Sequence, residues 1–270
     1  MVPKLAQYNQ SIGLPPFSPP TTVVKSYNSP LAFEPGTSWT YSTGIDWTGV
    51  LVARVSGLDL ETYFQKHIFT PLGTTDLTFW PKRNPLLESR MASLSMRDPA
   101  VPDSAGKAIP NKGFNMQASI QEEFGGQGLY GSMPSYLEIL KSLLVDDERL
   151  LKTSTSALMF EPQLTQESQQ VLQAVFRSQP ASGPCSIGLF PPDTKYDWGL
   201  GGLLTCEDVH DGQVDYRKMG CLNWSGMPNI FWVRCSEKHW TCSGPTNSEL
   251  VFRPHCWCLR DLWLTDAACG

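Results

Sequence analysis

The sequence predicts an α+β protein. Three observations carry that reading. Apolar residues recur at helical spacing through much of the first 180 positions. After about residue 185 the pattern changes to short β-type runs. Asp211-Gly212 stands between two of those runs, where a hairpin turn is expected. Helices followed by consecutive antiparallel strands make an α+β arrangement. A chain of 270 residues with 41% hydrophobic residues can bury a real core. Its net charge of −5 and the absence of an Arg/Lys stripe argue against a nucleic-acid partner. No apolar run reaches the roughly 18 residues of a membrane helix, and the start, MVPKLAQYNQSIGLPPF, lacks the apolar centre of a secretory signal. These features predict no membrane association, a cytoplasmic location and reduced cysteines.

Taken in order, residues 1–36 are proline-rich, with Pro15, Pro16, Pro19, Pro20, Pro30 and Pro35, and are expected to be an irregular lead-in. Ser42 and Thr43 are N-cap candidates for a buried helix over Ile45–Val55, closed by Gly57. A second helix is predicted near Asp59–Phe69. Leu60, Tyr63, Phe64, His67 and Ile68 share its apolar face, so His67 is expected in the core, and Pro71 is expected to block continuation. Residues 80–128 read as loop-rich and end in a tight turn at Gly125, Gly126 and Gly128. Ser132 or Ser135 then caps a helix striped by Tyr136, Leu137, Leu140, Leu143 and Leu144, and short helices follow at 154–160 and 166–176. The expected strands are Ser186–Phe190, Trp198–Thr205, Gln213–Met219 and Asn229–Val233, with His210 exposed beside the turn.

The local signal with most chemistry is Phe33-Glu34-Pro35-Gly36-Thr37-Ser38-Trp39-Thr40-Tyr41-Ser42-Thr43-Gly44. Pro-Gly makes a turn and Trp39 anchors it. Tyr41 then stands just ahead of a helix N-terminus, whose partial positive charge stabilises an anion. A tyrosine so placed acts as a general base if neighbouring cations lower its pKa from about 10. The plain alternative is an anchored turn in which Tyr41 only packs. Trp224-Ser225-Gly226 is a second candidate. Gly226 lets a ligand approach the backbone and Trp224 offers an apolar wall, against the alternative of an ordinary strand end. Cys256-Trp257-Cys258 with His255, Cys235 and Cys242 lacks the usual two-to-four-residue spacing of zinc ligands, so no metal is expected.

Three motifs, in chain order, resemble the serine β-lactamase-like family of class C β-lactamases, family VIII esterases and fungal transesterases. They are the run over 33–79, Gly125-Gly126-Gln127-Gly128-Leu129-Tyr130-Gly131-Ser132, and Trp198-Gly199-Leu200-Gly201-Gly202. The resemblance implies a β-lactamase/transpeptidase-like α+β fold, a helical subdomain beside an antiparallel sheet with flanking helices, here incomplete at both ends. It implies acyl transfer through a serine, with Tyr41 in proton transfer and Trp224, Ser225 and Gly226 lining the acyl site. On an edge strand that family carries Lys-Thr-Gly or a variant such as His-x-Gly or Trp-x-Gly, and Trp224-Ser225-Gly226 resembles the variant form. Thr43 stands where the family's Tyr-x-Asn has its asparagine.

The nucleophile of that family is the serine of Ser-x-x-Lys at the start of a buried helix, with the lysine one turn away to steer its proton. No such motif precedes Tyr41. Ser104-Ala105-Gly106-Lys107 lies after it, between Pro102 and Pro110, and cannot start a buried helix. The resemblance ends at about residue 232. Residues 1–232 are expected to be a partial β-lactamase-related domain and 233–270 a divergent tail, produced by a frameshift or alternative splicing or added as a genuine extension. The expected partner is a small-molecule ester, thioester or lactam, with no cofactor, and the chain as it stands is expected to be inactive. Tryptophan in place of the family's lysine favours esters, because the cation that would hold a lactam's carboxylate is lost. The competing expectation is a non-catalytic pseudoenzyme or a gene fragment.

Overall fold

The computed structural model describes residues 3–13, 20–93, 95–97, 108–110, 119–178, 193–210, 215–226 and 230–235. In chain order the elements are α1 (Pro3–Ser11), α2 (Val23–Tyr27), α3 (Gly44–Ser56), α4 (Leu60–Phe64), a π turn (Gln65–Phe69), α5 (Thr70–Leu72), β1 (Leu77–Thr78), a 3-10 turn (Pro81–Arg83), α6 (Pro85–Glu88), β2 (Ser95–Arg97) and β3 (Ala108–Pro110). They continue with β4 (Tyr130–Gly131), α7 (Met133–Val145), α8 (Thr153–Leu158), α9 (Gln166–Ser178), β5 (Tyr196–Gly199), β6 (Gly202–Thr205), β7 (Val209–His210), β8 (Asp215–Arg217), β9 (Cys221–Gly226) and β10 (Ile230–Cys235). The chain divides into two compact units. One comprises Met1–Pro35, Thr40–Ala92 and Gly113–Leu150; the other comprises Gly36–Trp39, Ser93–Lys112 and Leu151–Gly270.

The first unit is helical. Residues 1–36 are less irregular than expected, since they hold α1 and α2. Thr22 caps α2 by accepting from the Lys25 N–H, Val23 is fully buried, and the Val23 N–H donates to the Glu122 carboxylate. These ties to a distant segment override the proline-rich composition. Helix α3 runs as expected and ends at Gly57 in the left-handed conformation. Neither Ser42 nor Thr43 behaves as a side-chain cap: Thr43 occupies the N-cap position, but its hydroxyl makes no capping bond. Nor is α3 buried on its apolar side. Asp46 and Gly49, three residues apart, face inward, whereas Leu51 and Val55, four apart on the other side, are 59% and 81% exposed.

The helix after Asp59 also departs from expectation. Asp59 caps it by accepting from the Thr62 N–H at 2.6 Å. At Gln65 the backbone widens into a π turn, closed by the Thr70 N–H on the Gln65 carbonyl. The extra residue rotates everything downstream. Phe69 and Leu72 therefore enter the core, while His67 turns outward and is exposed, its ring 4.6 Å from that of Tyr63. Pro71 does not stop the chain, because it falls in the first turn of α5, where its missing N–H costs little; Gly73 ends the run instead.

Helix α3 is held against the 124–128 turn. Asp46 is 4% exposed, and its Oδ1 accepts from the Gly126 N–H at 2.8 Å. A Cβ on Gly125 would lie 2.8 Å from the Ile45 carbonyl, and one on Gly126 would lie 2.9 Å from Asp46 Oδ2. Only glycine permits this approach. The Gly128 N–H closes the turn on the Phe124 carbonyl at 2.8 Å. Fully buried Phe124 packs edge-on against Tyr27, whose hydroxyl accepts from Gln127 at 2.8 Å. Helix α7 starts at its predicted cap, with Ser132 accepting from the Ser135 N–H.

The second unit is built on a four-stranded antiparallel sheet in the order β10-β9-β6-β5. The stretch 198–205, expected as one strand, folds as a hairpin. Gly199 pairs with Gly202 across Leu200-Gly201, and Gly201 has φ +106°. Strands β7 and β8 pair antiparallel, while Asp211-Gly212 itself lies outside the described residues. The residue pattern did not mark β9, and the resemblance placed its Trp224-Ser225-Gly226 on an edge strand; instead β9 is an inner strand, between β6 and β10. Its pairing with β6 covers Leu222 and Asn223 only, so Trp224, Ser225 and Gly226 pair with β10 alone. The last strand extends to Cys235, which the register sets opposite Cys221. Cys221 is disulfide-bonded, contrary to the expectation of reduced cysteines. Ser186–Phe190 and residues 236–270, with four of the five tail cysteines, lie outside the described residues.

Strand β5 lies at one edge of this sheet, and α9 packs beside it. Gln173 accepts from the Tyr196 N–H, and Gln169 donates to the Tyr196 carbonyl at 3.2 Å. These side chains satisfy an otherwise open strand edge. Next to Tyr196, Asp197 is 5% exposed, and its Oδ1 accepts from the N–H groups of Gln163, Leu164 and Trp198 at 3.0, 3.1 and 2.8 Å. Leu172, Phe176, Tyr196 and Leu203 form the core between helix and sheet, with Trp39, Trp198 and Trp224 packed against it.

Two outcomes follow from these buried carboxylates. Asp197→Ala orphans the Leu164 and Trp198 N–H groups, leaves the Gln163 N–H with the Trp198 carbonyl alone, and is expected to destabilise the protein by roughly 2 kcal/mol or more, with Asp197→Asn costing less because one acceptor remains. Chemical denaturation of the three proteins measures this. For Asp46, burial raises the carboxyl above its ordinary 3.8, partly offset by the Gly126 N–H. The folded state thus holds the Asp46 proton more tightly than the unfolded state. The associated stabilisation is complete below about 3.8 and is lost as pH rises through the folded value. Asp46→Asn has no such titration, so its melting temperature relative to wild type should rise between pH 4 and pH 7. A pH-independent difference would refute this assignment.

Candidate functional site

Tyr41 belongs to the first unit, in the turn that leads into α3, and is 66% exposed. The anchor two residues earlier, Trp39, belongs to the second unit with Gly36 to Ser38. That short segment is pinned by side chains at the start of α9. Thr165 Oγ1 donates to the Gly36 carbonyl at 2.6 Å, and the buried Ser168 hydroxyl bonds the Gly36 and Ser38 carbonyls at 3.1 and 2.9 Å. The turn predicted from Pro35-Gly36 is real, with Gly36 at φ +84°.

Trp224 lies near the end of β9, half-buried, with its ring 4.9 Å from that of Trp198 at an interplanar angle of 65°. Trp198 is in turn 5.8 Å from Trp39 at 43°. Trp39 reaches Phe176 at 6.3 Å, and Phe176 meets buried Tyr196 edge-on at 5.6 Å. Three half-buried indoles therefore stand side by side on the core of the second unit. Ser225 and Gly226 follow Trp224 in the strand, opposite Phe231 and Ile230. The structure thus brings Trp224 together with Trp39 and Trp198, while Tyr41 stands in the other unit.

Two residues beyond the predicted set position these side chains. Asp46 fixes the first turn of the helix that follows Tyr41, and Asp197 fixes the backbone of Trp198. Each directly precedes a tryptophan, as Asp46-Trp47 and Asp197-Trp198. The dipeptides alone carry no such signal, because an acid in the first turn of a helix is favoured by the helix dipole and Asp197 stands just before its predicted strand; the backbone partners, far away in sequence, are visible only in the fold.

Cys206, the free cysteine among the described residues, offers no replacement nucleophile. Burial, reinforced by the charge of Asp197, pushes its thiol up to about 11, so it stays protonated at neutral pH. Burial likewise pushes the Tyr136 phenol up to about 12. A cleft of about 230 Å³ in the first unit contains neither Tyr41 nor Trp224. Its carboxylate, Glu61, is already occupied by the Phe79 N–H at 2.7 Å, the Thr78 hydroxyl at 3.0 Å and Gln65 at 3.1 Å. Its Arg83 stacks 4.4 Å over the Trp80 ring. Among the described residues no three His, Cys, Asp or Glu side chains are grouped to hold a metal, and no helix is long and apolar enough to cross a membrane.

The family model described as Beta-lactamase matches residues 8–238. Lovastatin esterase of Penicillium rubens is 36% identical over 230 residues, covering 85% of this chain and 55% of that protein. Monacolin J acid methylbutanoyltransferase of Aspergillus terreus is 36% identical over 206 residues, covering 75% of this chain and 47% of its own. The solved structure of unliganded simvastatin synthase from Aspergillus terreus matches with a TM-score of 0.70 at 33% identity, over 85% of this chain and 53% of that one. The chain therefore spans about half the length of the curated relatives it matches. Motif order, the helical and antiparallel-sheet units and these likenesses agree: the chain belongs to the beta-lactamase family and has its β-lactamase/transpeptidase-like α+β fold.

Proposed function

We propose that this chain carries the ester-recognition and tyrosine parts of an acyl-transfer site of the fungal lovastatin type, and that it forms no acyl-enzyme itself. The observation that carries the proposal is the indole wall of Trp39, Trp198 and Trp224, with Trp224-Ser225-Gly226 where related enzymes have a cationic motif. An apolar wall without that cation suits a neutral ester or thioester better than a carboxylate-bearing lactam. The relatives support the same substrate class, since their names describe a lovastatin esterase and a methylbutanoyl transfer to monacolin J acid. In this reading Tyr41 serves in proton transfer, and Trp224, Ser225 and Gly226 line the acyl site.

The second half of the proposal rests on the nucleophile. In the sequence Ser104-x-x-Lys107 stands between Pro102 and Pro110 with Gly106 inside it, a setting that does not suit the start of a buried helix. The Cys206 thiol is protonated. A non-catalytic binding protein built on this fold is therefore the reading for the chain as it stands.

The test is intact-mass spectrometry after incubation with a fluorophosphonate and, separately, with an activated butyrate ester. No mass increase is expected. A stoichiometric adduct on any serine, Ser42 and Ser104 included, would overturn the proposal and make the chain a serine acyltransferase in its own right.

A further inference from the structure

We propose that the outward side of α3 is a docking face for a helical segment from the part of the beta-lactamase-family domain that this chain does not span. The inference concerns the first unit and stands apart from the ester reading of the indoles in the second. Ile45, Thr48, Leu51 and Val55 follow one another at intervals of three, three and four residues, so they form one stripe along the helix. Ile45, Leu51 and Val55 are 55%, 59% and 81% exposed. The Thr48 hydroxyl donates to the Gly44 carbonyl at 2.9 Å, so Thr48 adds mainly its methyl group to the stripe. The other side of the helix is already occupied, with Asp46 and Gly49 buried against the 124–128 turn and Leu60. Asp46 and Arg54 are the only charged residues of α3, and Asp46 faces inward. A surface helix carries charge on its outer side, whereas one that is apolar on both sides is built for burial on both.

Helix α9 shows how this chain builds a helix that faces water. Leu172 and Phe176 are buried, and the exposed positions are Gln166, Glu167, Gln170, Ala174, Arg177 and Ser178. Isolated exposed apolar residues need no explanation, but a stripe along one side of a 13-residue helix does. What covers it follows from length. The match takes in 55% of lovastatin esterase and 47% of monacolin J acid methylbutanoyltransferase, so by subtraction from 100% the remaining 45% and 53% of those proteins lie outside it. A remainder of that size contributes elements of its own to the domain, and their apolar sides must be buried against something. A second copy of this chain suits the stripe less well: α3 is about 20 Å long and offers roughly 200 Å² of contact, against about 800 Å² per partner in a specific dimer. A lipid surface suits it less well too, because a helix lying on a membrane carries several cations on its polar side and α3 has Arg54 alone.

The experiment uses the full chain and one probe, the longer segment of Penicillium rubens lovastatin esterase that lies outside its match with this chain. The probe carries a purification tag and is co-expressed with the chain, and the amount of chain retained on it is measured. Wild type is expected to be retained. Leu51→Glu and Val55→Glu are each expected to cut retention at least tenfold, because each would bury a carboxylate without a partner. Both side chains are exposed in the free chain, so its circular dichroism and melting temperature should stay those of wild type. Leu86→Glu, at a 75% exposed position in α6, is the control and should be retained within twofold of wild type. A wild-type chain that is not retained overturns the inference, and so does an equal loss with Leu86→Glu. Sedimentation velocity and flotation with phosphatidylserine vesicles test the other occupants. A wild-type dimer that Val55→Glu converts to monomer, or vesicle binding that Val55→Glu abolishes, overturns the inference in favour of a second copy or a lipid surface. Should Leu51→Glu fail to fold, Val55→Glu decides alone.

Discussion

Asp197 sits 5% exposed under the α8–α9 connection, and its Oδ1 receives three backbone N–H groups. Asp46, 4% exposed in α3, does the same for Gly126. A carboxylate in such surroundings is costly to bury unless it is hydrogen-bonded, and the bonds it makes are about twice as strong as neutral ones. The arrangement is therefore steep: nearly all of its benefit is lost if the turn moves away. Each carboxylate converts a loop, which would otherwise sample many backbone states, into a fixed partner of a regular element. The residues of chemical interest are neighbours of these two anchors, with Trp198 next to Asp197 and Tyr41 five residues before Asp46.

The same constraint explains the glycines around 125. Charge-assisted bonding brings the Gly126 N–H to 2.8 Å from Asp46, and at that distance no Cβ fits on the turn. The glycine-rich motif and the aspartate are then one device written in two places, 80 residues apart. In the second unit the hydroxyls of Thr165 and Ser168 play the corresponding part for Gly36–Ser38, holding carbonyls rather than amides. Polar side chains aimed at backbone hold the segments around Trp39, Trp198 and the helix after Tyr41, whereas strand pairing with β10 places Trp224, Ser225 and Gly226.

That division decides what the sequence could tell. Helices α3, α7, α8 and α9 were legible because period and punctuation are local: Gly57, Ser132 and the apolar stripes act within a few residues. The β5–β6 hairpin was misread as one strand because Trp198-Gly199-Leu200-Gly201-Gly202 is continuous in hydrophobicity, and only the backbone angle of Gly201 reveals the reversal. His67 was misplaced because a single π turn shifts the face by one residue, and periodicity assumes a constant rise. Strand β9 was hidden because its neighbours are β6 and β10, and pairing with both made Leu222 and Asn223 buried regardless of alternation. Tyr41 and Trp224 are candidates from motif order alone, whereas the contact of Trp224 with Trp198 joins residues 26 positions apart and has no local signature.

Recognition and bond-making draw on different physics. Forming an acyl-enzyme requires a deprotonated nucleophile within reach of a base, a condition on a few atoms. Holding an apolar ester requires only that enough apolar surface be kept rigid and partly dry, a condition on packing. The three indoles are kept rigid and partly dry by the core of their own unit: Phe176, Tyr196, Leu172 and Leu203 support them, and Asp197 holds the backbone of Trp198. None of these contacts involves a serine nucleophile or depends on one. A packed apolar surface of this kind is therefore set by the core of its unit and by Asp197, independently of any group that makes or breaks bonds.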